Sequence, residues 1–310
     1  MTHDVIVLGV FVADTTYRAA RQPVMGETIL GDGFALGPGG KGSNQAVAAA
    51  KAGANVGFLS KLGKDTFADM ALATWAAAGV TPLVTHHPES YTGAACIFVD
   101  SATGNNAIII APGVAATIGQ ADIDAHVADI SRAKVFMTQL EQPMEAAAHA
   151  LHLARAGGAI TILNPAPAAD VSNAMLSLCD YVTPNETEAE TLTGISVETP
   201  QDAARAAEAL MARGSRAVIV TLGGQGCLFH DGSEPMHVPA MSAGPLVETT
   251  GAGDAFNGGF AAALARGRDP MDAIRFGTAT AALSVTRPGA AASMPDRDEI
   301  TALLSSRSDI

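Results

Sequence analysis

The stretch K134-V-F-M-T-Q-L-E-Q-P-M-E-A-A-A-H-A-L-H-L-A-R-A-G-G-A-I-T-I-L163 reads as one complete strand–helix–strand unit. Lys134–Thr138 and Ala159–Leu163 are short continuous apolar runs, and Met144–Ala156 between them has a helical pattern. Strands that are apolar throughout, rather than at alternate positions, have both faces covered, which indicates a parallel sheet between helices. Working outward, further strands fall at Val5–Val10, Val56–Ser60, Tyr181–Thr183 and Ala217–Thr221, and further helices at Ser43–Ala52, Thr66–Ala78 and Pro200–Arg213. The alternation predicts an α/β fold with a doubly wound, mostly parallel sheet flanked by helices. In such sheets ligands bind beyond the carboxyl ends of the strands.

Two segments break the alternation. Gly26–Ala35 reads as extended, turn-bounded chain, and Tyr91–Ile110 as two strands joined around Ser101–Asn106. A small antiparallel β-sheet lid over the strand ends, built from about residues 11–36 and 91–111, is the simplest expectation. Edge hairpins without a function are the alternative.

The 310 residues suggest two domains, or one large α/β unit with an appendage, at about 150 residues per domain. Hydrophobic residues make up 48% and charged residues 16%, enough for a large core and too apolar for a disordered chain. With 31 acidic and 18 basic side chains the formal charge is −13, which disfavours nucleic-acid and anionic-membrane partners. Cys96, Cys179 and Cys227 lie far apart without a C-x-x-C pair, so neither a disulfide framework nor a zinc knuckle is expected. The first apolar run, Val5–Val10, is too short for a signal-peptide core or a membrane span, and a soluble, cytoplasmic protein is expected.

Three glycine-rich loops carry the chemistry. G37-P-G-G-K-G-S-N44 precedes a helix but lies far beyond the first strand, so it fails as a dinucleotide fingerprint. It fails the Walker pattern too, because Gly42 follows Lys41 where Ser or Thr belongs. A glycine turn presenting Lys41 and Asn44 suits a polyhydroxylated ligand; a plain helix start capped by Ser43 is the alternative. E248-T-T-G-A-G-D-A-F-N257 opens a helix of small residues, and consecutive amides at a helix start form an anion hole. Asp254 in that first turn has the chemistry to take a proton from a hydroxyl beside a phosphate, though a carboxylate there also stabilises the helix by about 0.3–1 kcal/mol. T221-L-G-G-Q-G226 resembles a nucleotide platform. N185-E-T-E188 at another strand end offers hard oxygen ligands suited to Mg²⁺, or an ordinary helix N-terminus. Glu145, His149 and His152 share a helix face like metal ligands, but a solvated face explains them. His86-His87 beside Pro88 reads as a surface turn and Trp75 as core.

In this order, the loops resemble the ribokinase branch of the PfkB carbohydrate kinase family. The similarity runs from V7-L-G-V-F-V-A-D14 through G39-G-K-G-S-N-Q-A-V-A-A-A50, Q139-L-E141, N164-P-A-P-A168, T183-P-N-E-T-E-A-E190 and G251-A-G-D254 to V285-T-R-P-G-A-A-A-S293. It implies a single sugar-kinase domain with a β-lid that uses ATP and Mg²⁺ to phosphorylate the primary hydroxyl of a sugar, ribose to ribose 5-phosphate in the first instance. A kinase for 2-deoxyribose, another sugar or a nucleoside is the alternative, and a silent sugar- or nucleotide-binding protein is the rival outside the class. The resemblance also implies activation by K⁺ and a homodimer formed through the lid.

Residue by residue, the resemblance puts Asp14, Gly39, Gly40, Lys41, Asn44 and Glu141 on the sugar. It makes Asp254 the catalytic base, with Gly251, Ala252 and Gly253 forming the anion hole. Asn185, Thr221, Gly223, Gly224, Gly226, Gly253 and Thr278 fall on the nucleotide, and Glu188 on the Mg²⁺ shell. Glu248, Thr250, Ser284, Arg287, Gly289 and Ser293 fall on the loops that hold the monovalent cation. This sequence departs from the branch at four places. Val12 stands where Asn is usual, and Pro112-Gly113-Val114-Ala115 replaces G-A-N. Glu248 replaces Asp, and Thr278 replaces His or Asn. The first two changes remove polar groups near the sugar and favour a deoxy or differently shaped substrate.

Overall fold

The computed structural model describes residues 2–306. Nine strands form one sheet: β1 (Val5–Leu8), β4 (Val56–Leu62), β5 (Thr81–His86), β8 (Val135–Thr138), β9 (Ile160–Leu163), β10 (Tyr181–Val182), β11 (Ala217–Thr221), β12 (Cys227–His230) and β13 (Met236–Val238). Their order is β13-β12-β11-β10-β9-β8-β1-β4-β5. Pairing is parallel from β11 to β5 and antiparallel for β11–β12 and β12–β13. Four further strands, β2 (Val12–Ala19), β3 (Gly33–Gly39), β6 (Thr92–Asp100) and β7 (Asn106–Gly113), make a second, smaller sheet in the order β3-β2-β6-β7.

Strand β1 shows why the large sheet is covered twice. All four residues are fully buried. Val5 and Val7 join a core with the helices Lys41–Lys51, Thr66–Ala78, Ala252–Ala265 and Pro270–Ser284. Ile6 and Leu8 join another with the helices Met144–Ala156, Glu186–Thr193 and Pro200–Ala212. Helices Thr66–Ala78 and Met144–Ala156 have the predicted bounds. The first is fixed by Asp65, whose side chain accepts the Ala68 N–H, and by Gly79 in the left-handed conformation.

Two expectations need correction. The small sheet is mixed, not antiparallel, because β2 and β6 run parallel. Ser43 does not cap a helix: the helix begins at Lys41 with Gly40 as its cap, and Ser43 Oγ, buried two residues further on, accepts the Trp75 indole N–H at 2.9 Å. Only glycine serves at position 40, where φ is +89° and a β-carbon would sit 3.0 Å from the Phe11 α-carbon. His149 bonds Asp124 at 2.7 Å, and among the described residues no group of three or more His, Cys, Asp or Glu could hold a metal ion. No described helix is long and apolar enough to cross a membrane.

Candidate active site

Gly9, Gln139, Asn164, Thr183 and Gly223 all follow immediately or closely on the carboxyl ends of parallel strands. The chain diverges to opposite sides of β1, towards β4 and towards β8, so the crevice at the β1/β8 boundary is a topological switch point. The helices Lys41–Lys51 and Ala252–Ala265 meet above it. They approach closely because Gly258 carries no side chain: a β-carbon there would lie 2.8 Å from Ala49 N and from Gln45 O.

That contact sets Asn44 and Gln45 against Asp254. The Asn44 Nδ2 donates to Asp254 Oδ2 at 3.1 Å, and Gln45 Nε2 donates to Oδ1 at 3.0 Å. Asp254 is buried, which raises its pKa; the Lys41 charge and the two amide donors oppose the rise. No side chain caps its helix, whose first-turn amides have no intrahelical partner. The Gly251 cap is left-handed, at φ +78°.

A cavity of about 160 Å³ opens at this helix start, lined in part by Lys41, Asn185, Glu188, Gly251, Gly253 and Asp254. A second of about 390 Å³ adjoins it, sharing Asn185, Thr221, Thr249, Ala252 and Gly253. Gly223, Gly224, Gly226 and Thr278 line that second space, so the residues expected on a nucleotide lie together. Asn185 and Glu188 form a reciprocal cap: each backbone N–H donates to the other's side chain at 2.9 Å. Burial raises the Glu188 pKa against the Asn185 N–H, which lowers it. The ordinary helix start and the cavity-lining acid are therefore one feature.

On the other side, Asp14 on β2 lies across from β3, its carboxylate packed over the Gly39 α-carbon where any side chain would collide. Burial pushes Asp14 up to about 6. Glu141 Oε2 accepts the Lys41 backbone N–H at 2.8 Å. Burial carries Glu141 to about 7, opposed by Lys41 and assisted by Asp254 and Asp14. Asp14, Glu141, Lys41, Asn44 and Asp254 thus form one electrostatic cluster beside the Gly39-Gly40 turn.

The residues expected around a monovalent cation lie on or beside two loops. Val285 O accepts the N–H groups of Val247 and Glu248, and Gly289 N–H donates to Glu248 Oε2 at 2.8 Å, so the two loops meet. Arg287 instead turns to Glu299, Ser284 and Ser293 bond carbonyls three residues back, and Thr250 is exposed. A cavity of about 600 Å³ beside Arg155, Asp180 and Arg216, at the amino ends of β9–β11, contains none of the predicted site residues.

Several polar side chains of the site carry no role in the sequence reading, Gln45, Asn164, Thr183 and Asn257 among them. Gln45 Nε2 also donates to Asn164 Oδ1 at 3.0 Å, and Asn164 Nδ2 donates to Thr183 O at 2.9 Å. Thr183 Oγ1 donates to Asn257 Oδ1 at 2.7 Å, and Asn257 Nδ2 to Gly253 O at 2.9 Å, bracing the helix start. The available signal was a polar residue inside an Ala/Val run, or directly after a buried strand.

Residues 2–297 match the family described as pfkB family carbohydrate kinase. The chain belongs to this family. It is 37% identical to a ribokinase of Haemophilus influenzae over 300 residues, 96% of this chain and 97% of that protein. It is 36% identical to a deoxyribokinase of Salmonella typhimurium over 304 residues, 97% and 99% of the two chains. The structure of Arabidopsis thaliana ribokinase complexed with ribose and ATP superposes with a TM-score of 0.90 at 30% identity, covering 98% of this chain and 99% of that one.

Proposed function

We propose that the protein is an ATP-dependent sugar kinase that converts ribose to ribose 5-phosphate. The carrying observation is a buried carboxylate, Asp254, held by two amide donors in the first turn of an uncapped helix whose amides line the cavity. A carboxylate beside helix-start amides is what a hydroxyl attacking a phosphoryl group requires: one part takes a proton while the other meets the charge of the transferred group. The relationship to ribokinases supports ribose and ATP as the substrates.

In this reading Asp14, Asn44 and Glu141 hold the sugar hydroxyls, with the Gly39-Gly40 turn leaving room for the ring. The Gly223–Gly226 loop, Asn185, Thr221 and Thr278 receive the nucleotide. Asp254 accepts the proton of the primary hydroxyl as its oxygen bonds to the γ-phosphorus and the bond to ADP breaks. Lys41 stands among Asp254, Glu141 and Glu188, where its charge offsets theirs and that of the phosphates. The donor set at Glu188 fits a Mg²⁺ that arrives with the nucleotide: one buried carboxylate lines the cavity, and Mg²⁺ characteristically binds one or two carboxylates plus phosphates and water. Bound there, Mg²⁺ supplies charge neutralisation to the phosphates. The carbonyl-rich loops around Glu248–Thr250 and Ser284–Ser293 suit K⁺, although Glu248 already spends one oxygen on Gly289.

The small sheet acts as a lid that excludes water. Its exposed apolar side chains, Phe34 at 61% and Ile109 at 73% among them, suit a second copy of the chain as partner. The free thiols of Cys96, Cys179 and Cys227 fit the reducing cytoplasm.

One observation favours a second reading, 2-deoxyribose. Val12 is buried, two residues before Asp14 on the same face of β2, where it offers no hydrogen bond to a hydroxyl. The test is a panel of pentoses, deoxypentoses, ketohexoses and nucleosides with ATP, Mg²⁺ and K⁺. Highest kcat/KM for ribose supports the main reading; highest kcat/KM for 2-deoxyribose transfers the assignment, and sugar binding without phosphoryl transfer refutes both.

A further inference from the structure

The hydrogen bonds around Asp254 run in one direction, and their origin is a group that can only accept. Thr183 O takes the Asn164 Nδ2–H at 2.9 Å, which turns Asn164 Oδ1 towards Gln45. Gln45 must therefore present its NH₂, and its two hydrogens go to Asn164 Oδ1 and Asp254 Oδ1, each at 3.0 Å. From the far side Gln139 Nε2 donates to Gln45 Oε1 at 2.5 Å. With all three positions occupied and the side chain fully buried, the Gln45 amide cannot rotate. Asn44 differs: its Nδ2 donates to Asp254 Oδ2, but its Oδ1 is buried without a partner in the protein, so nothing locks this amide.

We propose that Gln45 is the positioning residue of the base, fixing Asp254 Oδ1 as a permanent hydrogen-bond acceptor so that the sugar proton is delivered to Oδ2. This rests on Asp254 being the base of the proposed kinase. As the sugar O–H bond breaks, its proton passes to Oδ2, while the oxygen's electron pair forms the bond to the γ-phosphorus and the P–O bond to ADP breaks with its pair. Asn44 is able to turn its carbonyl to the newly protonated Oδ2; Gln45 is not. Gln45 also favours the ionised carboxylate, opposing burial. The charged groups that act on Asp254 are Lys41 from the same helix as Gln45, Glu141 after β8 and Glu188 on its own helix; Asp14 on β2 bears on Glu141. All four remain when Gln45 is replaced.

The experiment measures single-turnover phosphorylation of ribose at saturating ribose and ATP from about pH 5 to 9, for wild type, Gln45→Met and Gln45→Glu. Saturation keeps Asp14 and Glu141 engaged with sugar, so the acid limb reports the base. Loss of a donor to the anion moves that limb up by about one pH unit in Gln45→Met, so the rate below it falls about tenfold and recovers at alkaline pH. Ribose affinity, measured by titration calorimetry, stays within about threefold of wild type, because Gln45 acts on the base and not on the sugar. Gln45→Glu sets a second carboxyl against Oδ1 and moves the limb further. If Gln45→Met fails to fold, Gln45→Glu, of nearly the same shape, carries the test. An acid limb left in place, or ribose affinity lost in step with rate, overturns the proposal. Wild-type protein that transfers no phosphoryl group to any sugar refutes the kinase reading itself, and this proposal with it.

Discussion

The backbone N–H of Lys41 and the Glu141 carboxylate, a hundred positions apart, meet at 2.8 Å and tie the first turn of one helix to the loop beyond β8. The bond holds an acid in a site where burial has already raised Glu141 to about 7 and Asp14 to about 6. Both values exceed those of an unfolded chain, near 4. Between about pH 4 and 7 the folded protein therefore binds protons that the unfolded chain has released, and this pair's contribution to stability declines as pH rises. Replacing Glu141 with Gln should flatten that decline in the substrate-free protein, as read by thermal unfolding from about pH 5 to 8.

In the proposed kinase the same two acids hold the sugar, so its affinity should depend on pH. Ionised carboxylates are the stronger acceptors for sugar hydroxyls. Ribose KM should fall as pH rises through about 6 to 7 and level off above, with proton release on binding. Titration calorimetry in buffers of differing ionisation enthalpy checks this, and proton uptake would contradict it.

In the proposed sugar site, Val12 is expected to set selectivity at the 2-position of a pentose. Val12→Asn should raise the ratio of kcat/KM for ribose over 2-deoxyribose by about fivefold or more, the worth of one hydrogen bond of about 1 kcal/mol. An unchanged or reduced ratio would remove Val12 from the sugar site.

Gly258 carries the helix contact on which Asp254 depends. A side chain there collides with Ala48 and with the backbone at Ala49 and Gln45. Gly258→Val should cost about 1–3 kcal/mol in urea unfolding and lower turnover more than sugar affinity.

The lid face should govern assembly. Phe34→Glu combined with Ile109→Lys, two exposed apolar positions on β3 and β7, is expected to convert a dimer to a monomer in sedimentation velocity without unfolding the large sheet. A dimer that survives both charges would move the interface elsewhere.

The large sheet was legible because its strands are continuously apolar and its helices carry local stop signals such as Asp65 and Gly79. Strand β2 was not, since V12-A-D-T-T-Y-R-A19 mixes polar and apolar residues and exists only by pairing with β3 and a distant β6. Strand β5 hid behind Pro82, which is tolerated because β5 is an edge. Asp254, Asn44 and Glu141 stood out in short motifs. The amides that orient the base did not, because the bonds of Gln45 reach 119 and 209 positions along the chain, and no local pattern encodes such partners.

The central claim is that Asp254 takes the proton of the sugar's primary hydroxyl during transfer from ATP. The direct measurement is ATP-dependent ribose phosphorylation by Asp254→Asn, with folding checked by circular dichroism and sugar binding by titration calorimetry. The account predicts a folded protein that still binds ribose and turns over about 10²–10⁴-fold more slowly than wild type. A folded Asp254→Asn protein with near-wild-type turnover would contradict it.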